Sequence, residues 1–235
     1  MKIYHGSDHV ITKPDPEGGR LHNDYGRGFY CTQYPDMARE WASSADRGGY
    51  LNEYSMDTDG LKVLDLNEYP ILVWLAVLLE NRVFELDSPL SREAYSYLTD
   101  KFHVDYKEYD LITGYRADDS YFAFARDFLN NTISLRQLSE AMQLGGLGNQ
   151  IVLKSRKAFE RIEYTCSEEV DSKIWYPRRI KRDEEARSKY HSTDKGYIRG
   201  ETYIIHILDE EMTIDDERIQ LSICSGRPKK HGGNA

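Results

Sequence analysis

Near the start of the chain Tyr4-His5-Gly6-Ser7 is followed by Tyr25-Gly26-Arg27-Gly28-Phe29-Tyr30-Cys31-Thr32, and Trp41 lies eleven positions beyond Tyr30. A histidine offers two ring nitrogens for hydrogen bonds, glycine lets backbone approach closely, and tyrosine and tryptophan present flat faces. Polar anchors and ring surfaces on one small sheet suit a planar group such as nicotinamide. Each residue also has a plainer reading. His5 would then be bonded to neighbouring backbone, Gly26-Arg27-Gly28 an ordinary tight turn, and Tyr30 and Trp41 core aromatics.

A second constellation follows a short apolar strand ending at Gly114, where Asp118-Asp119 either caps the next helix or supplies charge to a cleft. No third carboxylate or histidine stands at ligand spacing, so a metal site is not expected. Gly145-Gly146-Leu147-Gly148 precedes a strand rather than a helix and lacks phosphate-cradling geometry, and no Gly-x-Ser-x-Gly elbow occurs. Kinase and hydrolase-triad chemistry are therefore set aside.

The elements that must hold these residues read as follows. Strands are expected at Lys2 to His5, Gly28 to Thr32, Gly49 to Met56, Leu61 to Leu66, Asn149 to Lys154 and, at an edge, Arg161 to Tyr164. Helices are expected at Pro35 to Ser44, Ile71 to Phe84, Ser91 to Lys101 with Ser91 as cap, Tyr121 to Asn130, and Ser134 to Leu144 with Ser134 as cap. Pro14 to Gly19 is a loop dense in breakers. A charged helix spans Trp175 to His191, and Ser225 to Ala235 reads as a disordered tail.

A net charge of -9 argues against broad, sequence-independent binding to nucleic acid, although a local basic groove fits inside an acidic chain. Three cysteines without ligand-like spacing favour a reducing compartment, and with no apolar run long enough to span a bilayer a cytoplasmic protein is expected, with no membrane partner.

The order His-Gly on the first strand, Gly-x-Gly-Phe-Tyr-x-Thr on the second, an aromatic eleven positions later and a polar residue opening a late strand resembles the ADP-ribosyltransferase superfamily in its histidine-tyrosine-glutamate branch. Asp110 to Asp119, with Gly148-Asn149-Gln150-Ile151-Val152-Leu153-Lys154-Ser155, is similar to an uncharacterised bacterial domain family grouped with those enzymes and often encoded beside a small partner protein. The resemblance covers about residues 1 to 165.

The resemblance implies NAD as substrate. His5 would bond the adenine-side ribose, the Gly6 backbone would hold the carboxamide with Ser7 beside it, and Tyr30 and Trp41 would sandwich the nicotinamide. Gln150 stands where the family has the glutamate that grips the nicotinamide ribose, so it keeps orientation but lacks charge. Asp118 and Asp119 are the candidates for that charge, and Gln150, Tyr30 and Asp118 are the expected catalytic set. The implied fold is α+β, a split pair of mixed sheets with surrounding helices over 1–165, a mainly helical extension over 166–224 and a tail over 225–235. The implied activity is transfer of ADP-ribose to a macromolecular acceptor, as in a bacterial toxin or effector neutralised by a small antitoxin-like partner. NAD hydrolysis and non-catalytic binding of NAD, ADP-ribose or a protein are the alternatives.

Overall fold

A computed structural model describes residues 1–117, 119–144, 148–192 and 196–222. Its strands are β1 (Lys2–Ser7), β2 (Phe29–Thr32), β3 (Gly49–Met56), β4 (Val63–Asp65), β5 (Leu111–Tyr115), β6 (Asn149–Leu153) and β7 (Ile162–Val170). Around them lie α1 (Pro35–Ala42), α2 (Ile71–Asn81), α3 (Pro89–Lys101), α4 (Asp119–Leu129), α5 (Leu135–Ala141), α6 (Arg156–Phe159), α7 (Ser172–Ser192), α8 (Ile204–Asp209) and α9 (Glu217–Gln220). The architecture is mixed α+β.

Alternation along the central strands sorts side chains to two faces, as a period of two requires. Ile112 and Val152, directly opposite each other on β5 and β6, join the larger core, whereas Leu111, Ile151 and Leu153 join Ile3, Cys31, Tyr54 and Met56 on the other face. The larger core is built around α2. Every residue from Ile71 to Leu79 is buried there, the behaviour of a helix that is apolar all round.

Local signals set the helix starts. Ser134 accepts from the Gln137 backbone while the Gln137 side chain reaches back to Ser134, a reciprocal cap that opens α5 at the expected place. At α3 the cap is Ser88, not Ser91. Ser91 sits at the third helical position and returns the bond, because Pro89 is accepted at the first helical position and the helix begins three residues earlier than a cap at Ser91 would give.

The strands form a single sheet in the order β4-β5-β6-β2-β1-β3-β7, parallel between β4 and β5 and antiparallel elsewhere. The expectation of two separate sheets is corrected to one, joined at a narrow seam. β1 and β2 share one register pair, Tyr4 with Thr32, whereas β1 runs beside β3 over six pairs. β7 runs on past Cys166, the point at which the sequence suggested a change of region, with a bulge at Thr165 where its register against β3 shifts.

Helix α1 lies on β1 so closely that glycine is required at position 6. A Cβ built there would stand 1.9 Å from the Ala38 carbonyl oxygen and 2.7 Å from the Ala42 nitrogen. Those atoms are helix backbone and cannot swing aside. Gly6→Ala is expected to lower stability by about 1–3 kcal/mol, the range for overpacking, as α1 is pushed away from the sheet. Urea unfolding of the variant against the parent checks this.

Candidate functional site

Beyond the Tyr4–Thr32 pair the β1/β2 ladder stops, and a side chain crosses the gap. His5 Nδ1 lies 2.7 Å from the Tyr30 carbonyl oxygen. A carbonyl only accepts, so Nδ1 carries the proton and Nε2 is left as an acceptor. Burial lowers the His5 pKa, opposed by the bond to Tyr30 and assisted by the nearby His9, which favours this neutral form. The ring also rests against Phe29, 4.4 Å between centroids.

The parting strands border a cleft of about 830 Å³ whose lining includes His5, Gly6, Tyr30, Trp41 and Gln150. Five residues chosen from four separate stretches of sequence thus converge on one cavity. Ser7 is outside that lining; its hydroxyl donates to the His9 carbonyl and accepts from Asn52 Nδ2. Asp118 and the side chain of Asp119 lie outside the described residues.

Tyr30 is anchored at its far end. Its hydroxyl donates to the Gly26 carbonyl at 2.6 Å and accepts from the Tyr25 nitrogen at 3.0 Å, and burial raises its pKa far above the ordinary phenol. Trp41 has the Arg116 guanidinium over its ring at 4.9 Å, and its indole N–H has no hydrogen-bond partner among the described residues. No ring contact joins Tyr30 to Trp41 among the described residues, and one face of Trp41 is already covered by a cation.

Gln150 is the second residue of β6, opposite Thr32 on one side and Gly114 on the other. Its Nε2 donates to Asp24 Oδ2 at 3.0 Å and to the Tyr115 carbonyl at 3.1 Å. Asp24 was not anticipated. It is buried, 6% exposed, lines the same cleft, and takes a second bond from the Ala117 nitrogen at 2.9 Å. Burial raises its pKa, with the Ala117 and Gln150 bonds and the charges of Arg82 and Arg116 acting against the rise. Its place directly before the Tyr25-Gly26-Arg27-Gly28 turn was the one available signal.

The cleft is basic although the chain is acidic. Lys13, Arg20, Arg82, Arg116, Arg179 and Arg187 face Asp15, Asp24 and Asp183, six formal positive charges against three negative ones. The breaker-rich loop supplies one wall, its Gly19 resting against the Gly28 backbone. Helix α7 supplies another through Arg179, Asp183 and Arg187, four residues apart and therefore on one helical face. α7 is pinned to α1 by Arg182, whose Nη2 lies 2.7 Å from Glu40 Oε2 in a largely buried pair beside Trp41.

Residues 1–164 match the family described as "Protein of unknown function (DUF3990)", and the chain belongs to that family. No curated protein and no solved structure matches it. The family match ends inside β7, so the arginines that α7 brings to the cleft stand beyond it. Among the described residues no helix is long and apolar enough to cross a membrane.

The Tyr25–Gly28 turn, which carries Asp24 on its leading side and Tyr30 beyond, is clamped by Lys154. The Lys154 ammonium donates to the Tyr25 and Arg27 carbonyls, and burial, aided by Lys107, pushes its pKa down to about 8. A lysine whose folded pKa falls below its unfolded value opposes folding most when it is charged in both states. Stability is therefore expected to rise as pH increases from about 8 toward the unfolded lysine value of 10.5. Urea midpoints of the parent and Lys154→Met across this window check the sign: the parent gains relative to the variant as pH rises.

Proposed function

We propose that this protein is an NAD-dependent ADP-ribosyltransferase acting on a macromolecular acceptor. The observation that carries the reading is the convergence of His5, Gly6, Tyr30, Trp41 and Gln150 on one cleft, in an order along the chain that resembles the superfamily's motif.

The cleft also fits such a substrate on its own terms. Its volume of about 830 Å³ lies within the range of about 300–1,000 Å³ usual for ligand pockets. A local excess of positive charge suits a pyrophosphate, which guanidinium groups bind well. The neutral His5 keeps an acceptor nitrogen for a sugar hydroxyl, and Trp41 and Tyr30, both in the lining, offer ring surface to a flat heterocycle. Because Nε2 of Gln150 is committed to two acceptors, its Oε1 is the atom left to accept from a ribose hydroxyl. The resemblance, rather than the cleft, supports a bacterial toxin or effector working in the cytoplasm, with a small antitoxin-like protein as partner.

A second reading is a binding module for NAD or ADP-ribose that does not turn its ligand over. It is favoured by the neutral amide at position 150, which has no charge of its own for a developing cation. The two readings separate in one pair of measurements on the full chain. Labelled NAD incubated with lysate is expected to give labelled macromolecule and free nicotinamide; free ADP-ribose without labelled acceptor would identify a hydrolase, and calorimetric binding with no nicotinamide release would identify the binding module. His5→Ala is expected to weaken NAD binding about tenfold, the loss of roughly one hydrogen bond of 1–1.5 kcal/mol, read from the same titration.

A further inference from the structure

A carboxylate in the wall of an enzyme-like cleft is expensive to bury unless it is paired. Asp24 is not held by a salt bridge of close geometry: Arg82 Nε approaches its Oδ1 only to 3.8 Å. Its firm bonds come from neutral donors, the Ala117 backbone and the Gln150 amide, and both end on Oδ2. Among the described residues Oδ1 accepts no hydrogen bond. One oxygen is thus fixed by the fold while the other is uncommitted, in a side chain that borders the cavity.

Gln150 is oriented by the same contact. Oδ2 of Asp24 and the Tyr115 carbonyl are both acceptors, so the amide must turn its NH2 toward them and its Oε1 away. A hydrogen bond from Nε2 to a carboxylate is charge-assisted and draws the amide dipole so that Oε1 becomes more negative. Both residues line the cleft, and the amide oxygen is backed by the charge of the carboxylate.

We propose that Asp24 supplies the negative charge that Gln150 lacks, acting through the Gln150 amide as a positioning residue that stabilises positive charge developing on the ribose of bound NAD. This rests on the NAD reading above and assigns its missing electrostatic element. In the step concerned the bond from ribose C1′ to the nicotinamide nitrogen breaks and its electron pair stays with nitrogen, so nicotinamide leaves neutral. The positive charge passes to C1′ and the ring oxygen. A lone pair on the acceptor atom, or on water, forms the new bond to C1′, and the proton of that atom passes to solvent. Asp24 stays ionised throughout and transfers no proton.

Because the role requires the ionised form, it predicts a pH signature. The groups that face Asp24 are Gln150 from β6, Arg116 and the Ala117 nitrogen after β5, Arg82 after α2, Tyr30 from β2 and Tyr25 beside it in sequence. Among these, Arg82 and Arg116 favour its charge and burial disfavours it, with burial the larger effect.

The experiment measures nicotinamide release from NAD by the full chain across the acid range, with NAD affinity followed by calorimetry. The parent is expected to lose turnover as pH falls through a midpoint above the ordinary aspartate value. Asp24→Asn is expected to lower kcat by about 100-fold, the scale of losing one preorganised electrostatic group, with a much smaller change in affinity and no acid limb. Gln150→Glu places a second carboxylate against the first, and like charges resist joint ionisation, so the acid limb is expected to move to higher pH. That variant keeps the test open should Asp24→Asn fold poorly. Parental kcat and an unchanged acid limb in Asp24→Asn, or an unmoved limb in Gln150→Glu, overturn the proposal while leaving the NAD reading intact. Absence of nicotinamide release by the parent overturns the transferase reading and this proposal with it.

Discussion

The cleft depends on a ladder that stops after one pair. Had β1 and β2 continued past Tyr4 and Thr32, the backbone groups of His5 and Gly6 would have been consumed by Cys31 and Tyr30 and the sheet would have closed. Instead the imidazole takes over the Tyr30 carbonyl, satisfying a backbone acceptor that the missing ladder bond would have left bare. The sheet keeps its continuity on either side, because β1 is held by β3 and β2 by β6. A gap flanked by two well-paired halves gives the cleft a floor of strands, against which the breaker-rich loop and α7 form the remaining walls.

What the gap does not obtain from the sheet it obtains from helices. α1 delivers Trp41 and is set in position by contact with Gly6, so that glycine has a packing duty whatever it offers a ligand. α7 then closes over α1 through the Arg182–Glu40 pair. Burial raises the Glu40 pKa and Arg182, with Arg116 behind it, opposes the rise, so a largely buried ion pair ties the two helices together. That coupling explains how a highly charged helix with little amphipathic character finds one fixed orientation. Two of its arginines are then directed at the cavity, and a chain with net charge -9 acquires a basic cleft.

Much of this was legible in the residues because the signals were local. The alternation of β3, the unbroken apolar run of α2 and the reciprocal cap at Ser134 each lie within a dozen positions, and Gly49–Met56 is a strand over the range the pattern gives. His5, Tyr30, Trp41 and Gln150 were legible as candidates by residue type and order, and they line one cavity. Asp24 was not, for its meaning lies in a hydrogen bond to a residue 126 positions away, and no periodicity reports such a contact. Nor was the covering of Trp41 by Arg116, since an arginine just past a strand end looks like any solvated charge. The single sheet, read as two, differs by one pair of residues, a distinction finer than a hydrophobic pattern resolves.

The identity of residue 150 and the presence of Asp24 constrain each other. With glutamate at 150, two carboxylates would face one another across a hydrogen-bond distance in a buried wall; one would have to hold a proton, and the Nε2 donation that fixes Asp24 would vanish. With glutamine, a neutral donor meets the acid, the amide takes a single orientation between Asp24 and the Tyr115 carbonyl, and Asp24 can keep its charge near Arg82 and Arg116. Glutamine at 150 therefore leaves negative charge in the wall of this cleft. The charge sits on the turn that leads into β2, and the amide ties that turn to the strand beside it.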